Sequence, residues 1–81
     1  MPRIELCLPE LDLDDQPITL SAWLVPRGAP VTAGQRVAEV LAGPATVDLP
    51  SPVDGVLVRR LVDLDEPIKV GQPLAVIETS P

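Results

Sequence analysis

Apolar and polar residues alternate along most of this chain, with the two-residue period of a strand rather than the longer period of a helix. Residues 3–8 set Ile4, Leu6 and Leu8 on one face and Arg3, Glu5 and Cys7 on the other. Residues 46–49 send Val47 and Leu49 one way and Thr46 and Asp48 the other. Extended stretches are also predicted over 19–25, 36–41, 56–62 and 74–78, with the chain turning through 26–34 and 65–71. Eleven prolines and five glycines leave little room for a helix. Prolines at strand ends also discourage edge-to-edge association. The pattern predicts an all-β sandwich or flattened barrel.

A duplication underlies the pattern. Residues 18–41, ITLSAWLVPRGAPVTAGQRVAEVL, align without a gap onto residues 55–78, GVLVRRLVDLDEPIKVGQPLAVIE, at an offset of 37. Leu20/Leu57, Leu24/Leu61, Val25/Val62, Pro30/Pro67, Gly34/Gly71, Gln35/Gln72 and Ala38/Ala75 are identical. Val31/Ile68, Val37/Leu74 and Val40/Ile77 keep apolar character. A solenoid needs about three repeats to bury its faces. Two copies instead predict similar halves packed about a pseudo-twofold axis. Gly34 and Gly71 are expected in matching turns that need a positive φ, a structural role.

Composition narrows the chemistry. At 81 residues the chain fits one small domain, placed at 1–78, with 79–81 (Thr79, Ser80, Pro81) as a tail or the start of a linker. Such a domain buries only about 60% of its unfolded surface, so each apolar residue counts. The hydrophobic fraction is 46% with one Trp, no Phe and no Tyr, so Val, Leu, Ile and Ala must build the core. Trp23 reads as a packing residue rather than a binding platform, with a partner contact as the other reading. A net charge of −6, with Arg59-Arg60 the only adjacent basic pair, argues against a nucleic-acid partner. The acidity fits plain solubility or a surface that meets a basic partner. The lone Cys7 forms no intramolecular disulfide and reads as inert; with no histidine, no metal site is expected. Ser21, Ser51 and Ser80 have no histidine to act as base, and an enzyme is not expected. Neither a signal peptide nor an apolar run of about 20 residues is present, so a cytoplasmic domain without membrane contact is predicted.

The segments ELCLPELD, TLSAWLVPRGAPVTAGQ, VAEV, ATVDLPSPVDG and IKVGQPLAVIE follow one another in the order and spacing of a lipoyl domain. The chain resembles that family over nearly its whole length. The resemblance implies a barrel-sandwich hybrid: two four-stranded antiparallel sheets, with an attachment hairpin at one end. In the family the hairpin tip reads Asp-Lys-Ala, and the lysine carries the lipoyl group through an amide. Here those positions are Gly43, Pro44 and Ala45, so the attachment lysine is replaced by a residue with no amine. Biotinyl domains share the fold, but their lysine typically lies between methionines; the only Met here is Met1. The flanks favour the lipoyl branch, and no lipoyl cofactor is expected. A type I turn over 43–46 would place Pro44 second, where its fixed φ fits. A proline in the third position would require another geometry, a cis bond included.

Two further segments bear on function. Lys69 is the only lysine. It aligns with Thr32 in a bend placed away from the hairpin and reads as a solvated strand residue. In lipoyl domains the loop after the first strand lies near the hairpin and helps partner enzymes recognise the domain. By that resemblance Glu10, Asp12, Asp14 and Asp15 join Gly43, Pro44 and Ala45 as partner-binding candidates; a solvated loop is the other reading. Asp12 and Asp14 lack the remaining ligands of a calcium loop. The function expected is a non-lipoylated interaction or docking module of a 2-oxo acid dehydrogenase-type or related carboxylase-like assembly. The alternatives are a working acyl or carboxyl carrier, modified at Lys69 or acting within a longer acyltransferase chain, and a relic that binds no partner.

Overall fold

Eight strands take up the alternation in a computed structural model that describes residues 2–11 and 16–79. They are β1 (Arg3–Cys7), β2 (Ile18–Trp23), β3 (Pro30–Val31), β4 (Arg36–Ala42), β5 (Ala45–Pro50), β6 (Gly55–Arg60), β7 (Pro67–Ile68) and β8 (Pro73–Glu78). Antiparallel pairing joins them into two four-stranded sheets, ordered β1-β8-β6-β3 and β5-β4-β2-β7. No helix occurs among the described residues, so none is long and apolar enough to cross a membrane. The body measures 39 × 20 × 18 Å. Thr79 donates its N–H to the Pro2 carbonyl and so continues the β1–β8 ladder, while Ser80 and Pro81 lie outside the described residues.

The 37-residue offset is the symmetry of the fold. It carries β2 onto β6, β3 onto β7 and β4 onto β8, and thereby one sheet onto the other. Bulges recur with it: the register slips between Leu20 and Ala22 in β2 and between Leu57 and Arg59 in β6. Gly34 and Gly71 occupy matching turns at φ +88° and +85°. Gly34 donates to the Ser51 carbonyl and Gly71 to the Leu8 carbonyl, each at 2.8 Å.

The core shows the same division. One buried cluster contains Leu20, Val40, Val62, Ile68 and Leu74, and the other contains Leu57, Ile77, Val25, Val31 and Val37. Each of these repeat pairs is thus split between the two clusters. A half-turn about the axis moves an inward side chain of one sheet to the inward face of the other, so neither half can close its core alone.

Three local expectations change. β3 and β7 fall inside segments predicted as turns; each has two residues and begins with proline. Both lie at sheet edges, where a missing N–H is tolerated, and both are too short to show a period. Ile4, expected inward, is 37% exposed near the outer end of its edge strand. Cys7 keeps the outward phase between buried Leu6 and Leu8 but is half-buried.

One bend is left-handed without a glycine. Asp65 has φ +65°, and its repeat partner Gly28 has φ +91°. The left-handed region costs an L-residue about 1–2 kcal/mol, against roughly 0.5–1 kcal/mol of extra unfolded-chain entropy for glycine. Asp65→Gly is expected to raise stability by about 0.5 kcal/mol in urea unfolding. A loss of stability would show that the aspartate side chain holds the bend.

Candidate functional site

β4 and β5 pair from Arg36↔Pro50 to Ala42↔Ala45, which leaves Gly43 and Pro44 as a two-residue connection at one end of the barrel. Gly43 has φ +58°, whereas Pro44 is not among the positive-φ residues. A positive φ at the first central position alone defines a type II′ turn, the hairpin turn whose twist matches the flanking strands. The turn therefore spans 42–45 rather than 43–46, and Pro44 stands third rather than second. No cis bond is involved. A type II′ turn asks for φ near −80° at its third position, close to what the pyrrolidine ring imposes. The closing pair Ala42↔Ala45 sets this register, with Ala42 buried beneath the tip.

Pro44 and Ala45 are exposed, while Gly43 is half-covered by Gln16. A Cβ added at Gly43 would lie 2.5 Å from Gln16 Oε1, so the segment after the first strand reaches the hairpin, as the resemblance implied. Gln16 was not singled out from the sequence. Its place two residues before β2, the strand that pairs with β4, was the available signal. Glu10 is exposed and lines a cleft of about 740 Å³ together with Gln16 and Lys69. Asp12, Asp14 and Asp15 lie outside the described residues.

Lys69 is not remote from the hairpin. Ile18 pairs with Ala42 on one side and Ile68 on the other, so Gly43 and Lys69 follow at the same end of the sheet. Two inter-strand spacings separate their backbones, about 10 Å. The bend itself is fastened by Gln72, whose Oε1 accepts the Lys69 N–H at 3.0 Å.

The chemistry available at the tip is narrow. An amide-linked prosthetic group requires a side-chain amine, and Gly43, Pro44 and Ala45 have none. The residues of the tip therefore do not fit covalent attachment, and Lys69 offers the chain's only side-chain amine. No group of His, Cys, Asp and Glu among the described residues is arranged to hold a metal. Buried Ser51 donates its hydroxyl to the Val53 carbonyl at 2.6 Å, and Ser21 Oγ donates to Glu39 Oε1 at 3.1 Å. Arg36 and Asp48 form a 3.0 Å ion pair across the hairpin arms, an exposed contact worth at most about 1 kcal/mol.

The sequence and the fold both have known relatives. The Biotin_lipoyl family profile, described as "Biotin-requiring enzyme", matches residues 12–77. Over 62 residues, 76% of the chain, the sequence is 37% identical to the lipoamide acyltransferase component of the mitochondrial branched-chain alpha-keto acid dehydrogenase complex of Mus musculus. The Bos taurus protein of the same description is 36% identical over the same length. The chain spans only 13% of either relative. A single-chain, multi-domain long-chain acyl-CoA carboxylase superposes with a TM-score of 0.75 at 24% identity, covering 98% of this chain and 7% of that one. The lipoyl domain of the 2-oxoglutarate dehydrogenase complex from Azotobacter vinelandii superposes over the full length of both chains, with a TM-score of 0.70 at 15% identity. These two likenesses establish a common fold. The profile match over residues 12–77 makes this chain a member of the biotin/lipoyl family, a carrier-type domain related by sequence to the 2-oxo acid dehydrogenase acyltransferases.

Proposed function

We propose that this domain works as a docking module of a multienzyme assembly and carries no lipoyl or biotinyl group on its hairpin. One observation carries the reading: the hairpin is intact, but its tip is Gly43-Pro44 in a type II′ turn with no amine to acylate. A turn that keeps its shape after losing its nucleophile still presents a surface. Pro44 and Ala45 supply the exposed part, Gln16 braces Gly43, and Glu10 lies beside the adjoining cleft. The partner proposed is a protein component of a 2-oxo acid dehydrogenase-type complex, or of a related carboxylase-like assembly. The names of the relatives, components of such complexes, support that class.

A second reading has its own support. Lys69 stands at the hairpin end of the barrel, so a carrier modified there would present its group at the face where the family presents it. The two readings separate by intact mass after co-expression with a lipoyl ligase and, separately, a biotinyl ligase. The expected result is an unmodified chain with either enzyme. An adduct that disappears in Lys69→Arg would replace docking with carriage at Lys69.

A further inference from the structure

The pseudo-twofold axis brings together residues that are far apart in sequence. Trp23 and Arg60 are repeat partners at the 37-residue offset, yet they touch: the Arg60 guanidinium lies 5.6 Å from the centroid of the indole ring. Residues related by a twofold axis meet only near that axis. Trp23 pairs with Ala38, four residues back from the hairpin's closing Ala42, so this contact lies at the waist of the barrel, about 14 Å from the tip.

A hollow of about 580 Å³ opens beside it, lined by Trp23 and by Arg27, Arg59 and Arg60. The chain has six basic residues in all. Arg3 and Arg36 are engaged by Glu78 and Asp48. Arg27, Arg59 and Arg60 form no ion pair among the described residues, and they converge on one concavity of a chain whose net charge is −6. The one acidic residue in the lining is Asp63. Three guanidiniums against one carboxylate leave a local positive field on an otherwise acidic body.

The surroundings select the kind of anion. Trp23 is half-buried and held in place by donating Nε1–H to the Val62 carbonyl at 3.2 Å, so the indole is a fixed platform. Leu64, 57% exposed, forms the apolar part of the lining that faces solvent. An anchored tryptophan beside arginines is the combination enriched in protein–protein hot spots, and Leu64 adds an apolar edge to it. A nucleic acid would use the arginines and waste Leu64, and its phosphates would run from the hollow onto acidic surface.

We propose that this hollow docks an acidic peptide segment of a protein partner, its carboxylates on Arg27, Arg59 and Arg60 and its apolar side chains against Trp23 and Leu64. The site is separate from the hairpin and does not depend on whether the domain carries a prosthetic group.

Trp23 is the only tryptophan, so its fluorescence reports the site directly. Poly-L-glutamate titrated at low ionic strength is expected to give a saturable change in emission that weakens as salt is added. Arg59→Gln/Arg60→Gln is expected to weaken the response at least tenfold. Arg27→Gln, which leaves the stacked pair intact, is expected to weaken it severalfold. Arg3→Gln/Arg36→Gln removes the same charge as the first double variant elsewhere and is expected to leave the response unchanged. Circular dichroism establishes that each variant is folded. No saturable change, or equal losses in the two double variants, would overturn the proposal. A stronger response to polyuridylate than to poly-L-glutamate would overturn it in favour of a phosphate backbone.

Discussion

Pro44→Lys is expected to convert the domain from wholly unmodified to predominantly lipoylated when it is co-expressed with a lipoyl ligase. The turn geometry makes this substitution mild. The strained position of the type II′ turn is Gly43, at φ +58°, and it is left untouched. The third position asks only for an ordinary negative φ that any L-residue adopts. Loss of the ring restores unfolded-chain freedom, at about 0.4–1 kcal/mol. That is small beside the roughly 4–12 kcal/mol expected for a domain of this length. Position 44 is exposed, so a lysine amine there would stand in solvent at the end of the barrel. Intact mass gives the answer, and repeating the experiment with Lys69→Arg fixes the modified position. A folded Pro44→Lys that remains unmodified would mean that the hairpin is no longer recognised as an attachment site. The docking proposal would then lose its claim to a family-like surface at this end.

The fold was legible because duplication wrote itself into the sequence. Leu20/Leu57, Gly34/Gly71 and Ala38/Ala75 announced two equivalent halves, and the structure places them in equivalent positions. What stayed hidden was what alternation cannot encode. β3 and β7 are two residues long, and the bulges at Ser21 and Val58 displace the period without a glycine or proline to mark them. The position of the hairpin was readable, but its turn register was not, since Gly43-Pro44 fits more than one frame until the Ala42↔Ala45 pair is known. A glycine opening a two-residue connection was itself a type II′ signal. Lys69 was misplaced for a related reason. Its distance from the hairpin is set by β7 joining the far side of β2, a pairing that a two-residue strand does not advertise. The arginine hollow follows from the repeat only after one asks which repeat partners touch.

The duplicated core gives the other large effect. Leu20 and Leu57 are repeat partners, both fully buried, one in each cluster. Truncating a buried leucine to alanine costs about 2–5 kcal/mol, from lost transfer energy and the cavity left behind. Either Leu20→Ala or Leu57→Ala is therefore expected to remove about half of the domain's stability. Because the two sites share surroundings through the pseudo-twofold axis, their costs are expected to agree within about 1 kcal/mol, as read from urea midpoints at constant m. The double variant is expected to be unfolded at 25 °C. Leu24 and Leu61 are also repeat partners and identical, but they are 45% and 39% exposed. Leu24→Ala and Leu61→Ala are expected to cost less than about 0.5 kcal/mol. The pair of pairs separates internal symmetry from burial: identity between the halves is common to both, and only the first is in the core. A Leu57→Ala loss below about 1 kcal/mol would mean that the second cluster contributes little to stability. Agreement between Leu20 and Leu57 would instead mean that the two clusters, each drawing residues from both halves of the chain, hold the fold equally.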